Sequence, residues 1–519
     1  MDTTGYKLFS SCIQLIHRIF LALDFFHVVI VMILVYFLCV PHDVRNGGPV
    51  IELIQSGRNG SADPMNAAGA DPGFQPSPID RFGNCRCDLS SFQPCQNVLP
   101  FNPIVGLYLT QSHQNLHQFF SDRNTAIPMI LGISDLIGIR VSMEYITFDG
   151  ESPMSRLRAE NGRREPWKMK FFGLGNESWG CGGNMFPEDY AARYRLYQSF
   201  LHDSQKVSAE KIAVGPAGDD YDWTEKLLEK CYRRNQPQRH GFMDGLSVHY
   251  YMYLHGWEDK GSALSFTDEE WVLTMQRAYF LKEILEKHAE ILDRYDPEKK
   301  IGLVVDEWGN WFWTEEGTNP GFLYQQNSMR DAVSAGLNLN VFNKMSDRIT
   351  MTNIAQMINV LQSMLLTQGA ELVKTPTYFV YRMFRDHQDA DLLESAVSGN
   401  YKLSVLEDDR TAPAVPVLSE SVSMNEKGEI NLTLTNQSTE DDLSVRIHMN
   451  ESKPYTAALC EILQGESSSE DPHGLRAHNS FEEPEQVQIR PYAQISKDES
   501  GFALTLPAAS VVHLTLQKN

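Results

Sequence analysis

The chain has few positive charges for its acidic content. Among its 519 residues, 45 Lys and Arg stand against 67 Asp and Glu, which gives a formal net charge of −22. Proteins that bind nucleic acid need clustered Lys and Arg, which release counterions from the phosphates. The deficit therefore excludes a nucleic-acid partner and favours a neutral substrate.

Cysteine is also scarce. The sequence has eight, of which Cys85, Cys87 and Cys95 share one short stretch while the others are scattered along the chain. This pattern has neither the density of a disulfide scaffold nor the spacing of a zinc site. We therefore expect no bound metal.

Long hydrophobic runs are missing as well. Residues 19–40 are mostly apolar but contain Asp24 and His27, and the unbroken part, "VVIVMILVYFLCV", has 13 residues. A helix that spans a bilayer needs about 20 consecutive apolar residues. The segment is compatible with a tilted membrane anchor, with the hydrophobic region of a signal peptide, or with sequence foreign to the fold. Residues 41–100 are rich in Gly, Pro, Ser and Asn without apolar periodicity, so 1–100 is predicted to be an atypical apolar segment and a low-order linker.

Two patterns of secondary structure are present in the rest of the chain. From about residue 141, strand-like runs alternate with helical ones, as in "KKIGLVVDEWGNW" before "NSMRDAVSAGLNLNVF", and βαβα repetition predicts a parallel sheet. After Asp389 the pattern changes to short alternating strands, which is typical of a β-sandwich. The length also favours two domains. We predict an α/β fold, a (β/α)₈ barrel over 101–388, followed by an all-β sandwich over 389–519.

Two glutamates end strand-like runs, Glu177 in "FFGLGNESWG" and Glu307 in "IGLVVDEWGNW". The 130 positions between them equal about three βα units of roughly 30 residues. Barrel active sites are assembled at the carboxyl ends of the strands, so both side chains are expected to face one pocket. An acidic residue is more often a solvated surface charge. Here, however, a pair of carboxylates across a sugar-sized cleft fits glycoside hydrolysis.

Three neighbouring residues allow the same choice between a structural role and a place in the site. His249 and Tyr251 lie on one face of the strand-like run "SVHYYMY", where the alternatives are a hydrogen-bonded core histidine and a packed tyrosine. The context of these two residues in the sequence favours a role in the site over these structural alternatives. Asp306 is interpreted as structural, because period-two alternation would point its side chain away from that of Glu307.

Long motifs carry a family resemblance. "FFGLGNESWGCGGNMFPEDYAARY", "DGLSVHYY", "VVDEWGNWF" and "NIAQMINVLQ" resemble the retaining α-L-arabinofuranosidases of clan A, in which a barrel is joined to a β-sandwich. The resemblance runs from about Arg140 to Asn519. It implies that Glu177, closing the fourth strand, is the general acid/base and that Glu307, closing the seventh, is the nucleophile. It further implies a substrate-binding set of Asn176, His249, Tyr251, Trp311 and Gln356.

The resemblance also implies an activity. The implied enzyme is exo-acting and removes terminal non-reducing α-L-arabinofuranosyl units from arabinan, arabinoxylan or arabino-oligosaccharides. The reaction retains the anomeric configuration. The carboxyl groups are then expected about 5–5.5 Å apart. The charge of Glu307 is expected to raise the pKa of Glu177. No cofactor is needed. A homo-oligomer in the cytoplasm is implied, with membrane anchoring or secretion through 19–40 as the alternative.

The amino-terminal part departs from the family pattern. Two sugar ligands expected there, a glutamate in the first βα loop and a Pro-Gly-Gly loop after the second strand, have no match in residues 1–139. Barrel strands one to three are thus not recognisable, and an exon or reading-frame difference in the gene would produce such a boundary. The alternative function is a catalytically impaired or vestigial sugar-binding homologue. Another barrel glycosidase, such as an endoxylanase, would lack "GNESWGCGGNM".

Overall fold

The computed structural model describes residues 138–201, 209–231, 243–406, 409–449, 455–499 and 501–518. The apolar segment 19–40 and the linker up to residue 100 lie outside these residues. Among the described helices, none combines the length and the hydrophobicity needed to cross a bilayer.

The first part of the described chain contains a parallel sheet in which every strand lies beside the next one in sequence. Its five strands are β1 (Phe171–Leu174), β2 (Glu210–Ala213), β3 (Gly245–Met252), β4 (Gly302–Asn310) and β5 (Ile349–Ile354). Strands β3 and β4 are buried over most of their length, as expected for a parallel sheet covered on both faces.

Helices alternate with these strands. A helix covers residues 138–147. It is followed by α1 (Pro153–Glu160), α2 (Pro187–Tyr197), α3 (Tyr221–Cys231), α4 (Asp268–Tyr295), α5 (Met329–Lys344) and α6 (Pro376–Phe384). Short 3₁₀ helices cover Gln198–Phe200, Pro320–Phe322 and Arg385–His387.

The two longest helices begin at capping boxes. Thr267 caps α4 through the backbone N–H of Glu270, whose side chain accepts from the N–H of Thr267. Ser328 caps α5, and Asp331 completes the same reciprocal pair. Each box satisfies backbone donors that would otherwise lack a partner, so the sequence itself fixes where the chain leaves the loops around the sheet.

The carboxyl-terminal part is built from antiparallel strands. After the hairpin of β6 (Leu365–Gln368) and β7 (Glu371–Lys374) come β8 (Asp391–Leu392), β9 (Lys402–Leu403), β10 (Val415–Pro416), β11 (Leu418–Met424), β12 (Ile430–Asn436), β13 (Leu443–Ile447), β14 (Tyr455–Leu463), β15 (Ile489–Pro491), β16 (Ile495–Asp498), β17 (Gly501–Leu506) and β18 (Ser510–Lys518). A six-stranded sheet has the order β15-β14-β18-β12-β11-β8, and a three-stranded sheet has the order β13-β17-β16.

These two sheets share a core. Leu434 and Val512 of the larger sheet pack with Leu504 and Leu506 of the smaller one in one buried apolar cluster. Apolar side chains that alternate inward from two facing sheets define a sandwich. The predicted β-sandwich is therefore confirmed, and its first strand, β8, begins two positions after the boundary expected at 389.

Helix α5 joins the parallel sheet to the sandwich. Towards the sheet, Phe342 packs edge-on against Trp308 with ring centroids 5.1 Å apart. Towards the sandwich, Asn340 donates to Ser419 Oγ over 2.9 Å and accepts from Thr433 Oγ1 over 2.7 Å. Gly336 lies so close to Thr435 that an added Cβ would come within 2.9 Å of its hydroxyl oxygen. Both faces of the helix are thus buried.

The predicted spacing of the strands is confirmed. Glu177 follows β1 and Glu307 lies in β4, and these two strands are three positions apart in the sheet. The five parallel strands match strands four to eight of the expected barrel. Within the described residues, β1 and β5 are therefore the two edges of this sheet.

Candidate active site

Glu177 lies on a tight turn at the carboxyl end of β1. The backbone reaches φ +107° at Gly175 and φ +41° at Glu177 itself. The carbonyl of Glu177 accepts from Gly180 N over 2.8 Å and from Gly182 N over 3.0 Å. An added Cβ on Gly182 would lie 1.6 Å from the Asn176 oxygen, so this position requires glycine. A left-handed glutamate costs on the order of 1 kcal/mol, and such strain often occurs at functional sites.

Glu307 reaches the same edge of the sheet from inside a strand. The register between β3 and β4 passes from Ser247 opposite Val304 to His249 opposite Glu307, so β4 holds one extra residue. A matching shift occurs against β5 between Val305 and Trp308. This is a β-bulge, which bends a strand and changes the direction of a side chain.

His249 lies between the acidic side chains. Its Nδ1 is 3.0 Å from Glu177 Oε1 and 3.5 Å from Glu307 Oε2. Its Nε2 is 3.3 Å from Asp306 Oδ1, an ion-pair contact that falls short of an aligned hydrogen bond. The imidazole is 6% exposed, so its charge interacts strongly with the three carboxylates.

The expected alternation of side chains does not hold at Asp306, whereas its interpretation as a structural residue stays a prediction. Alternation would have turned its side chain away from that of Glu307, but the bulge in β4 brings both towards His249. Nothing in the sequence pattern marks a bulge at this position, which is why the period of two failed.

Tyr251 and Trp311 line the side of Glu307. The Tyr251 hydroxyl donates to Glu307 Oε2 over 2.7 Å. The Tyr251 ring packs edge-on against Trp311, with centroids 5.0 Å apart. Trp311 N donates to the Met252 carbonyl over 3.0 Å, which ties the loop after β4 to the end of β3.

Cys181 is a contact that sequence reasoning did not find. Its Sγ donates to Glu177 Oε2 over 3.1 Å. Burial and the Glu177 carboxylate raise the pKa of the thiol to about 12, so the thiol remains a donor at ordinary pH. The spacing of four residues from Glu177 was visible in the sequence, but the turn that brings the two side chains together was not.

The remaining predicted residues lie at the same end of the sheet. Asn176 is half-buried and directly precedes Glu177 in the turn. Gln356 is half-buried in the loop after β5, where its N–H donates to the Val360 carbonyl over 3.0 Å. The neighbouring Ala355 N–H donates to the Trp308 carbonyl over 2.9 Å, which holds this loop against β4.

The electrostatics distinguish the two glutamates. Burial raises the pKa of Glu177, but hydrogen bonds from His249 and Cys181 and the charge of His249 outweigh burial and lower it. Burial raises the pKa of Glu307, and the charge of Glu177 adds to this against the opposing effects of His249 and Tyr251. The expected raised pKa of Glu177 is therefore not what the structure indicates, because His249 lies closest to that carboxylate.

His249 itself is held in the charged form. Burial alone would lower its pKa, but the charges of Asp306 and Glu307 and the hydrogen bond with Glu177 raise the pKa well above its usual value. The carboxylate oxygens and Nδ1 or Nε2 of Glu177, His249 and Glu307 lie within 4.8 Å of one another. Such a set could ligate a metal ion, which would have to displace the proton from the imidazole.

The separation of the two glutamates is chemically informative. One carboxylate oxygen of each lies within 4.8 Å of the other. Carboxyl groups about 5–5.5 Å apart serve direct attack on a sugar carbon, whereas about 6.5–9.5 Å leaves room for a water molecule. The arrangement suits a covalent, retaining mechanism at a glycosidic bond.

Comparison with known families identifies both parts of the chain. A family model described as the α-L-arabinofuranosidase 1 domain matches residues 102–255, and one described as the α-L-arabinofuranosidase C-terminal domain matches residues 306–510. The first match begins at residue 102, earlier than the resemblance near Arg140 predicted.

Individual relatives agree with these matches. An intracellular exo-α-L-arabinofuranosidase of Bacteroides ovatus is 43% identical over 376 residues, which cover 72% of this chain and 69% of that protein. An intracellular exo-α-(1→5)-L-arabinofuranosidase of Bacillus subtilis is 23% identical over 66% of this chain and 67% of its own length.

Solved structures have the same fold. The arabinofuranosidase of glycoside hydrolase family 51 from Xanthomonas axonopodis superposes with a TM-score of 0.67 at 36% identity, covering 74% of this chain and 73% of its own. An α-L-arabinofuranosidase from Thermotoga maritima, solved with arabinose, gives a TM-score of 0.58 at 24% identity over the same shares.

Proposed function

Since this chain belongs to the α-L-arabinofuranosidases of glycoside hydrolase family 51, we propose that it removes terminal α-L-arabinofuranosyl units through Glu177 and Glu307. The observation that carries this assignment is the meeting of two carboxylates from strands three apart in the sheet, with oxygens within 4.8 Å. The chain is thus a retaining, exo-acting glycoside hydrolase.

In the first step, a Glu307 oxygen attacks the anomeric carbon of the arabinosyl unit while Glu177 protonates the departing glycosidic oxygen. This gives a covalent arabinosyl-enzyme with inverted configuration. In the second step, Glu177 takes a proton from water, and the hydroxide oxygen displaces Glu307 with a second inversion. The product retains the original configuration, and both carboxylates return to their starting states.

Tyr251 and His249 control the charge on these carboxylates. The hydroxyl of Tyr251 donates to Glu307 Oε2 over 2.7 Å, which holds the carboxylate in place and stabilises it when it departs from the sugar. His249 Nδ1 is 3.0 Å from Glu177 Oε1, so one proton is shared between imidazole and carboxylate. We infer that this pair supplies the proton for the leaving group and regains it when Glu177 acts as base.

The pocket for the arabinosyl ring is assigned from position and chemistry. Asn176 directly precedes the acid/base, and an amide there can donate to a sugar hydroxyl. Trp311, packed on Tyr251, offers an apolar face to the ring. Gln356 lies in the loop after the strand next to β4 and completes the proposed set.

We also propose a substrate class and a cellular compartment, which membership of the family does not fix. Arabinan, arabinoxylan and the oligosaccharides derived from them all carry terminal arabinofuranosyl units. Two relatives are named intracellular enzymes, which supports our proposal that this chain acts in the cytoplasm on oligosaccharides. We also propose a homo-oligomer by analogy with the family.

Hydrolysis of an aryl α-L-arabinofuranoside tests the proposal. The protein should cleave it, should leave the corresponding aryl β-D-xyloside largely intact, and should release arabinose first in the α form, as observed by proton NMR early in the reaction. The Glu307→Gln variant is the matched inactive control. Initial release of the β form would contradict the retaining mechanism, and absence of cleavage by well-folded protein would contradict the activity.

A further inference from the structure

His288 is a buried imidazole that the proposed mechanism does not use. It lies in α4 and contacts Thr224 of α3, and both side chains are fully buried. Its Nε2 is 2.8 Å from the Gly218 carbonyl oxygen, and its Nδ1 is 3.0 Å from Thr224 Oγ1. A carbonyl oxygen only accepts, so Nε2 carries the proton and Nδ1 accepts from the Thr224 hydroxyl. One neutral tautomer thus satisfies both ring nitrogens.

The His288 ring is uncharged near neutral pH. Burial lowers its pKa to about 4, against the opposing effects of the Gly218 carbonyl and of the charge of Asp219. The Tyr221 ring packs on the imidazole with ring centroids 4.8 Å apart. His288 therefore keeps the same hydrogen bond to Gly218 over the range in which a hydrolase works, and it does not itself titrate there.

The Gly218 carbonyl belongs to the segment that follows β2, residues 214–220, which we call the β2 loop. This loop continues the pairing with β3 beyond the end of β2, because Ala217 forms a parallel bridge with His249. The His249 N–H donates to the Pro216 carbonyl over 3.3 Å, and the Gly218 N–H donates to the His249 carbonyl over 2.7 Å. Both backbone polar groups of His249 are therefore bonded to the β2 loop.

The beginning of the β2 loop is held by other groups. The Gly215 N–H donates to Ser247 Oγ over 3.1 Å, and an added Cβ on Gly215 would lie 1.8 Å from the Ser247 carbonyl oxygen. Trp223 of α3 donates from Nε1 to the Val214 carbonyl over 3.1 Å. These contacts lie before the part of the loop that bonds to His249, whereas the hydrogen bond from His288 lies within it.

We propose that His288 is a positioning residue for the catalytic pair and acts through Gly218 on His249. The inference rests on the proposed function, since it concerns the reaction of the same two carboxylates. His249 is paired with Glu307 of β4 on its other side, and its Nδ1 lies 3.0 Å from Glu177 Oε1 and 3.5 Å from Glu307 Oε2. A small movement of the His249 backbone would therefore change the distances that set the charge of both glutamates.

Loss of this support should change both limbs of the pH profile of kcat/KM. If the His249 ring moves away from the carboxylates, its pKa falls, so the proton that it shares with Glu177 is lost at lower pH and the basic limb moves down. The pKa of Glu307 rises when the charge of His249 is more distant, so the acidic limb moves up. The profile should narrow from both sides. A purely structural role would reduce the stability of the protein and leave both limbs in place.

The His288→Met variant removes the donor and keeps a helix-forming side chain. We expect kcat/KM for an aryl α-L-arabinofuranoside to fall about tenfold at the optimum, and each limb to move inward by about half a pH unit. His288→Gln, whose amide can still donate to the Gly218 carbonyl, should restore most of the rate and of the width. Trp223→Phe is the matched control, because it removes a side-chain donor to Val214 of the same loop. It should lower the melting temperature without moving either limb.

Wild-type limbs in His288→Met, or an equal narrowing in Trp223→Phe, would overturn the proposal. If His288→Met does not fold, Thr224→Val takes its place, because it removes only the hydroxyl that favours the Nε2–H tautomer of His288. This variant should narrow the profile by a smaller amount, and a wild-type profile would again overturn the proposal.

Proton NMR titration of the His249 ring gives a measurement that does not need turnover. The pKa of His249 should fall in His288→Met and stay at the parent value in Trp223→Phe. An unchanged pKa in His288→Met would show that His288 does not position His249. If the folded parent protein does not cleave the arabinofuranoside, the proposed function fails, and the titration still decides whether His288 sets the charge of His249.

Discussion

The two catalytic carboxylates reach one pocket by different local structures. Glu177 stands on a strained turn with φ +41°, and its side chain is 20% exposed, whereas Glu307 stands in a bulged strand and is 12% exposed. Hydrogen bonds and the charge of His249 lower the pKa of Glu177 against the effect of burial, while burial raises that of Glu307. The group that must exchange protons with leaving group and water occupies the more accessible turn. The group that must bond to carbon is held inside the sheet.

One imidazole maintains this difference. His249 contacts both carboxylates through Nδ1, but Glu177 Oε1 is the closer at 3.0 Å against 3.5 Å for Glu307 Oε2. Its positive charge therefore favours ionisation of Glu177 more strongly. The Tyr251 hydroxyl donates to the same Glu307 oxygen, Oε2, over 2.7 Å. The asymmetry of the pair lies in these partners, and each partner can be removed separately.

The largest expected effect is the loss of the nucleophile. Glu307→Ala should lower kcat/KM by about 10⁴-fold or more with every substrate. Glu177→Ala should still form the arabinosyl-enzyme from substrates with good leaving groups, because these need no protonation. Added azide should then accelerate Glu177→Ala and give the retained α-arabinosyl azide, identified by NMR. If azide instead gives the inverted β adduct from Glu177→Ala, the two roles are exchanged.

Removing the shared partner should have the next largest effect. His249→Gln deprives both carboxylates of a positive charge, and we expect kcat/KM to fall by about 10³-fold. The pKa of Glu307 should rise further, so the acidic limb of the pH profile of kcat/KM should move to higher pH. Asp306→Asn, which keeps the imidazole, is the comparison variant. An unchanged acidic limb in His249→Gln would show that His249 does not set the charge of Glu307.

Loss of the Tyr251 hydroxyl should act on one carboxylate alone. Tyr251→Phe removes the donor to Glu307 Oε2, and we expect kcat/KM to fall by about 10²-fold. The hydrogen bond lowers the pKa of Glu307, so its removal raises that pKa and moves the acidic limb upward while the basic limb stays in place. Stopped-flow measurement of both limbs checks this. A shift of the basic limb instead would place the influence of Tyr251 on Glu177.

The smallest expected effect belongs to Cys181. Its thiol donates to Glu177 Oε2 and lowers the pKa of that carboxyl. Cys181→Ala should therefore raise the proton affinity of Glu177 and move the basic limb of the profile, where the proton shared by His249 and Glu177 is lost, to higher pH. The rate at the optimum should change by about threefold, as for loss of one weak hydrogen bond. Cys181→Ser should preserve most of the wild-type profile. Matching profiles for all three proteins would show that the thiol has no part in positioning the acid/base.

The sequence predicted those parts of the site that depend on periodic structure. The strand-like runs before Glu177 and Glu307, and the distance between them, were enough to place both at one edge of a parallel sheet, because each βα unit has a nearly constant length. His249 and Tyr251 were also placed correctly on one face of β3, since a regular strand alternates.

The parts that depend on departures from periodicity could not be predicted in this way. The bulge in β4 inserts one residue and brings Asp306 towards His249, against the expected alternation. The turn after β1 brings Cys181 onto Glu177 through backbone angles that glycines permit but do not specify. The lowered pKa of Glu177 depends on its short distance from His249, and no pattern in the sequence encodes that distance.

Helix α5 determines whether the sandwich can be exchanged between proteins during evolution. Its face towards the sheet carries Phe342, and its other face gives Asn340 to a network of Ser and Thr hydroxyls on the sandwich. Separating the two parts near residue 389 would leave those polar groups without their hydrogen-bond partners and would remove the close contact between Gly336 and Thr435. The sandwich is therefore not an exchangeable module, and the two parts should melt in one calorimetric transition and descend through evolution as a single heritable unit.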